Sequence, residues 1–256
     1  MGGARASRAR ALARFLRATL RACASAYRGL TRGFAARSRI PHQLCRFFVE
    51  QLGERLGAPP GGVRALFPDA GVAALLSQRW RGQVAFTLGS LNDRSPLPPS
   101  GEPPRALVIC AADPQGADDA ARAAGAAEAS GAAVVLLNPR LASGDAGIGL
   151  NARRMRENFL SRLAVTYCLR PVGDGTVYRR YPGLYKVFVS DETTPGRFRL
   201  AAESATRPGG EDLAGIMDAA ARDGAGTDGA PRREETPLEN IARTIGSMMR
   251  FMNSLK

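Results

Sequence analysis

Histidine is almost missing from this chain of 256 residues; the single one is His42. With one imidazole near the N-terminal end, Ser-His-Asp and Cys-His triads, histidine metal sites and histidine acid–base catalysis are nearly excluded. Lysine is scarce too. Beyond the N-terminal stretch only Lys186 and Lys256 occur, and no GxxxxGK[ST] is present, so Walker-type phosphate binding is excluded. The four cysteines, Cys23, Cys45, Cys110 and Cys168, form no CxxC, and neither a disulfide framework nor a zinc site is expected. Cys110 and Cys168 lie in apolar, strand-like runs, the setting of reduced core thiols. Aromatic residues make up only 6%, so the core has to be built from small and aliphatic side chains. No run approaches the roughly 20 apolar residues of a membrane span, and no apolar stretch suits a secretory signal.

Acids are absent from the first 49 residues, which hold eleven of the 36 basic ones. The other 25 basic residues face 23 acids, so the formal charge of +13 belongs almost wholly to an N-terminal extension. The folded body, at +2, gives no reason to expect nucleic acid as a partner. Within the extension Arg10, Arg14, Arg17 and Arg21 share one helical face, and Leu12, Phe15, Leu16, Leu20 and Cys23 the opposite one. A basic amphipathic helix without acids predicts an organelle transit peptide over residues 1–42. The alternative for the same pattern is a basic tail that binds RNA or anionic lipid.

The folded body is expected over residues 43–222. Leu44, Phe47, Phe48, Leu52 and Leu56 recur at helical spacing, with Gly57 as C-cap and Pro59-Pro60 as the stop. Residues 63–67 read as a strand, and Asp69 caps a helix over 70–79. Residues 83–88 read as a strand and 95–104 as a proline-rich loop. Residues 105–110 are a short continuous apolar run, typical of a strand buried on both faces. An alanine-rich helix follows over 117–129. From Ala132 to Val189 the pattern reads as a βαβ-like unit: a strand over 132–138, a loop, a helix over 151–163 and a strand over 165–171. Strands over 176–181, 185–189 and 197–203 then follow without helices between them, and residues 210–222 form a closing helix. The fold class is therefore α/β, with a mainly parallel sheet flanked by helices and antiparallel strands added at one edge in the C-terminal half.

Residues 223–236 are polar and glycine-rich and read as a flexible linker. Residues 237–256 carry Leu238, Ile241, Ile245, Met248, Met252 and Leu255 in a narrow apolar seam flanked by Arg243, Arg250 and Lys256. This amphipathic helix docks on its own domain, or on a partner or membrane surface.

Gly147-Ile-Gly-Leu-Asn-Ala152 matches G-x-G-x-x-A, in which glycines let a phosphate reach a helix N-terminus. Eight residues separate it from the strand ending at Asn138, and the next strand ends in Arg170-Pro171, with no acid for a ribose. A structural turn with Asn151 as helix cap is the favoured reading. Asn138, Arg140, Gly147, Gly149, Asn151, Arg153 and Arg154 together are the candidate anion- or partner-binding residues; Arg156, Arg162 and Arg170 extend the basic cluster. Local ion pairing with Asp145 and Glu157 is the plainer role for these arginines. No catalytic residue, metal or cofactor is expected.

Several ordered motifs are Phe67–Gly71 (FPDAG), Phe86–Asp93 (FTLGSLND), Leu136–Leu141 (LLNPRL), Gly147–Ser161 (GIGLNARRMRENFLS), Tyr167–Pro171 (YCLRP) and Tyr181–Phe188 (YPGLYKVF). Together, over about residues 45–220, they resemble the plastid and cyanobacterial low-photosystem-II-accumulation family, a domain of unknown function. The resemblance implies a chloroplast protein, in the stroma or on the stromal face of the thylakoid. It also implies a role in photosystem II assembly through contacts with assembly proteins or a photosystem II subunit. No catalytic residues come with it. The arginine-rich, serine-poor extension departs from common plastid presequences, which keeps a mitochondrial address as the minor alternative. The competing function is a nucleotide- or phosphate-metabolite-binding protein or enzyme using the Gly147 loop.

Overall fold

The computed structural model describes residues 40–98, 102–139, 141, 150–191, 194 and 197–224. Both terminal segments, 1–39 and 225–256, lie outside these, and the C-terminal-helix expectation with them; the transit-peptide and linker expectations also fall outside except at their inner ends, where residues 40–42 begin the first helix and residues 223–224 finish the last. Within residues 43–222 the chain divides between Leu163 and Ala164 into two compact units.

The N-terminal unit opens with α1, Ile40–Leu56. It ends in a Schellman turn: Gly57 has φ +56, its N–H donates to Glu54 O at 3.1 Å, and Ala58 N donates to Gly53 O at 3.0 Å. Arg105 adds a second cap, donating Nη1 to the carbonyls of Leu56 and Gly57 at 3.0 and 3.1 Å. Next come β1, Val63–Phe67, and α2, Ala70–Arg79. Asp69 caps α2 as its sequence context predicts, its Oδ1 accepting from Val72 N at 2.8 Å. β2, Thr87–Ser90, starts four residues later than the apolar pattern suggests. β3, Ala106–Cys110, α3, Ala117–Ala129, and β4, Ala133–Leu137, follow closely where they were expected. α4, Leu150–Asn158, gives way to a 3-10 turn over Leu160–Arg162.

The four strands form one parallel sheet in the order β2-β1-β3-β4. β3 is wholly buried, as its unbroken apolar run requires. Along β1, Leu66 faces the α3 side. There it joins Leu107, Ile109, Leu91 and the alanines Ala120, Ala123, Ala124 and Ala127, together with Met155 of α4 and Phe159 just after it. Four alanines on one stripe let α3 approach the sheet closely, which is how a core poor in aromatics reaches native density. Phe67 faces the other side and meets Trp80 and His42 edge to face, with ring centroids 6.1 and 6.2 Å apart. Cys45 of α1 and Cys110 of β3 are both buried on this side as free thiols.

The C-terminal unit holds β5, Tyr167–Val172, β6, Gly175–Arg180, β7, Tyr185–Ser190, β8, Phe198–Ser204, and α5, Gly210–Gly224. Its strands make a separate antiparallel sheet in the order β5-β6-β7-β8. α5 covers one face, with Leu213, Ile216 and Met217 against Val177, Tyr185 and Val187.

The α/β class and the switch from parallel to antiparallel pairing match the sequence reading. Two details differ. The antiparallel strands do not extend the parallel sheet, and the run after α4 does not close a βαβ unit with β4. Instead β5 pairs with β6 across the short turn Gly173-Asp174, with Gly173 at φ +46. A Gly-Asp-Gly turn closes a hairpin locally, whereas returning beside β4 needs a long crossover. Pro171 inside β5 removes one ladder donor, which an edge strand tolerates.

Candidate functional site

In a sheet ordered β2-β1-β3-β4 the connections leave β1 and β3 in opposite directions. The crevice at their carboxyl ends is where open α/β sheets usually hold ligands. Here that edge carries Pro68-Asp69 after β1, Ser90 to Arg94 after β2, Ala111 to Gly116 after β3 and Asn138 after β4. Among the described residues, Ala111 and Asn138 are the non-glycine residues with left-handed backbones, φ 52 and 51, and they sit side by side, because Ala111 N donates to Leu137 O at 2.8 Å. For an alanine that conformation costs about 1–2 kcal/mol.

Several polar groups of this edge are committed to the fold. Asp69 caps α2, and Asp113 Oδ1 accepts from Gly116 N at 2.9 Å. Asp118 and Asp119 occupy the first turn of α3. Carboxylates thus stand where the helix N-termini would otherwise favour a phosphate. Among the described residues no three His, Cys, Asp or Glu side chains gather closely enough to hold a metal ion.

The turn after β2 shows the same economy. Ser90 N donates to Asp93 Oδ2 at 3.0 Å, Asp93 N to Ser90 O at 3.3 Å, and Ser90 Oγ to Asn92 Oδ1. Arg122 of α3 reaches over it, donating Nη2 to the carbonyls of Leu91 and Asp93 at 3.0 and 3.1 Å and Nη1 to Arg94 O at 3.3 Å. Arg64 of β1 lies against Gly89 and donates Nε to Pro96 O at 2.7 Å. A Cβ at Gly89 would come within 2.5 Å of Arg64 Nη2, so glycine is what lets the guanidinium lie there. Half-burial pulls the Arg64 guanidinium below its ordinary value, and the Asp93 carboxylate opposes that pull.

The sequence-derived candidates do not assemble into one site. Asn138 is exposed at the end of β4. Arg153 and Arg154 are exposed on α4, and Arg153 Nε pairs with Glu157 Oε1 at 2.8 Å, the local pairing expected for it. Asn151 falls in the first turn of α4, with its side chain outside the described residues. Arg140, Gly147 and Gly149 also lie outside the described residues. Arg162 pairs with Glu128 of α3, and Arg170 belongs to the C-terminal unit. Sequence reading passed over Arg64 and Arg122. Gly89, isolated inside a strand-like run, was the one local sign of a close approach.

Among the described residues, the exposed large apolar side chains are Leu75, Val165, Leu184 and Leu200, and the last three belong to the C-terminal unit. Leu184 lies in the turn before β7 and Leu200 on β8. Among the described residues no helix is long and apolar enough to cross a membrane.

These features define an α/β protein with a parallel-sheet unit and an antiparallel-sheet unit. The chain belongs to the family described as Domain of unknown function (DUF1995), whose model matches residues 5–215. That span starts inside the basic N-terminal stretch and stops inside α5. No curated protein and no solved structure matches the chain.

Proposed function

We propose that this chain is a plastid protein that assists photosystem II assembly through protein–protein contacts, in the stroma or at the stromal face of the thylakoid, and that it catalyses no reaction of its own. The plastid and photosystem assignments rest on the ordered motifs quoted above. One structural observation supports contact rather than catalysis. In FPDAG and FTLGSLND the side chains of Asp69, Ser90, Asn92 and Asp93 close on the fold itself, through the Asp69 cap and the turn that Arg122 holds, while Thr87 Oγ1 is buried without a hydrogen-bond partner. Outward-facing apolar side chains, Val165, Leu184 and Leu200, belong instead to the C-terminal unit. Single exposed apolar residues are ordinary on any surface, so the reading depends on their acting together.

The test is affinity capture of the tagged full chain from thylakoid and stromal fractions, with quantitative mass spectrometry, beside the double variant Leu184→Asp/Leu200→Asp. Enrichment of photosystem II subunits or their assembly proteins with the wild type, lost in the variant, is expected. Capture of no photosystem II polypeptide by a folded wild-type chain would overturn the proposal. N-terminal sequencing of the mature protein decides the organelle address. A start beyond residue 30 supports a removed presequence, and an intact Met1 or Gly2 removes that support.

A further inference from the structure

The antiparallel sheet is apolar on both faces. α5 takes the face of Val177, Tyr185 and Val187, and among the described residues it is the only helix of the unit. The residues that alternate with these along each strand point to the other face. There the register sets one aromatic ring on every strand: Tyr167 of β5, Tyr178 of β6, Phe188 of β7 and Phe198 of β8. Each step moves one strand across and two residues along, so the four make a diagonal row. Neighbouring rings meet edge to face, with centroids 5.9 Å apart for Tyr167 and Tyr178 and 6.5 Å apart for Tyr178 and Phe188. Leu169 stands opposite Tyr178 and Leu200 opposite Phe188, which widens the apolar strip. All four rings are half-buried, whereas Leu200 at the β8 rim is exposed. A sheet that is apolar on both faces needs a packed layer on each.

The chain itself supplies a segment that fits. α5 nears its end beside the edge strand β8, where Arg199 donates to the Ala220 carbonyl. Residues 225–236, polar and glycine-bearing, then lead to residues 237–256. A linker of that length and composition reaches about 20 Å. Passing round an edge strand from one covering layer to the other takes about the same, since each layer packs about 10 Å from the sheet. Wound as a helix, the seam from Leu238 to Leu255 runs about 25 Å. A row that crosses four strands at two residues per step is about as long. The seam consists of Leu238, Ile241, Ile245, Met248, Met252 and Leu255. Aliphatic side chains pack on ring faces, and methionine sulfur packs favourably at ring edges. The short tether holds the segment at a local concentration of about a millimolar, ahead of most partners in trans.

We propose that residues 237–256 dock in cis on the antiparallel sheet, seating their apolar seam across Tyr167, Tyr178, Phe188 and Phe198 on the face opposite α5.

The test is site-specific photocrosslinking of the full chain, with p-benzoylphenylalanine in place of Phe188 in one variant and of Tyr178 in another, read by peptide mass spectrometry. Irradiation should join each probe to a peptide from residues 237–256 of the same chain, with a yield independent of protein concentration. A probe in place of Ala214, at an exposed position of α5, should give no such product. Ile245→Asp/Met248→Asp changes only the tethered segment and should cut the yield about tenfold or more, because the two carboxylates resist burial against rings. Probes at both ring positions that reach no peptide of residues 237–256 would overturn the proposal. So would crosslinks that survive Ile245→Asp/Met248→Asp, and so would products between chains that rise with protein concentration, which would make a second copy the occupant.

Discussion

Replacing Arg122 by methionine should loosen the turn after β2 while leaving α3 packed, because methionine keeps most of the aliphatic stem. The arginine makes three bonds to carbonyls and one ion pair, to Asp119 at 2.9 Å. The ion pair counts for little: its side chains are 41% and 40% exposed, and such i,i+3 pairs contribute only a few tenths of a kcal/mol. Water can replace the bonds to the exposed carbonyls of Asp93 and Arg94. The Leu91 carbonyl belongs to a fully buried residue and regains less, so its loss costs about 1–2 kcal/mol. Arg122→Met should therefore cost about 2 kcal/mol, or about 4–8 °C in melting temperature for a unit of this size. Trp80, the only tryptophan and buried in the same unit, reports unfolding in urea by its fluorescence. Asp119→Asn is the control and should cost less than about 0.5 kcal/mol. A loss from Arg122→Met below that figure, or one from Asp119→Asn as large as from Arg122→Met, would refute the view that the carbonyl contacts hold the turn.

Gly89→Ala should cost about 1–2 kcal/mol by driving Arg64 off β2, and should cost much less when combined with Arg64→Ala, a non-additivity read from a double-mutant cycle. Gly175→Ala places a Cβ 2.3 Å from the Phe188 carbonyl, a backbone atom that cannot swing away; a loss of about 1–3 kcal/mol should appear in thermal unfolding of the C-terminal unit. Contact with Cys45 and complete burial push the Cys110 thiol well above its ordinary value. As pH rises past that ordinary value the unfolded chain loses the proton first, so stability falls; Cys110→Ala should flatten the fall between about pH 8 and about pH 10 in urea titrations. Ending the chain at Asp223 should leave the melting temperature unchanged and abolish thylakoid association if residues 237–256 bind a partner; a large drop in melting temperature with association intact would mean the helix completes the core.

Most elements were legible because their signals are local. Asp69 before an apolar helical face, Gly57 before two prolines and the unbroken run from Ala106 to Cys110 each fix one element without help from the rest. The late start of β2 was not legible. Gln83 to Phe86 have strand-like residue types, yet Gln83 N is taken by the Trp80 carbonyl at 2.9 Å, finishing the turn after α2 before pairing with β1 can start. Of the candidate site residues, sequence reading placed Asn138 correctly at a strand end. It could not show that Arg170 and the α4 arginines belong to different units, because proximity in sequence does not reveal which sheet each segment joins.

That division also explains the misplaced βαβ unit. Strand-like composition says that a segment pairs, not with what. Residues 167–172 had two possible neighbours: the open edge of β4 behind them, and residues 175–180 just ahead. Returning to β4 would bury a half-polar strand that contains Arg170 and Pro171. Pairing ahead needs only a two-residue turn, with glycine at the position that has positive φ. The nearer partner has the smaller closure entropy, and it leaves Arg170 on a face beside Arg179 rather than inside a parallel sheet. The hairpin that removes this strand from the first sheet is therefore the same feature that sets Cys168 opposite Arg179 in the second.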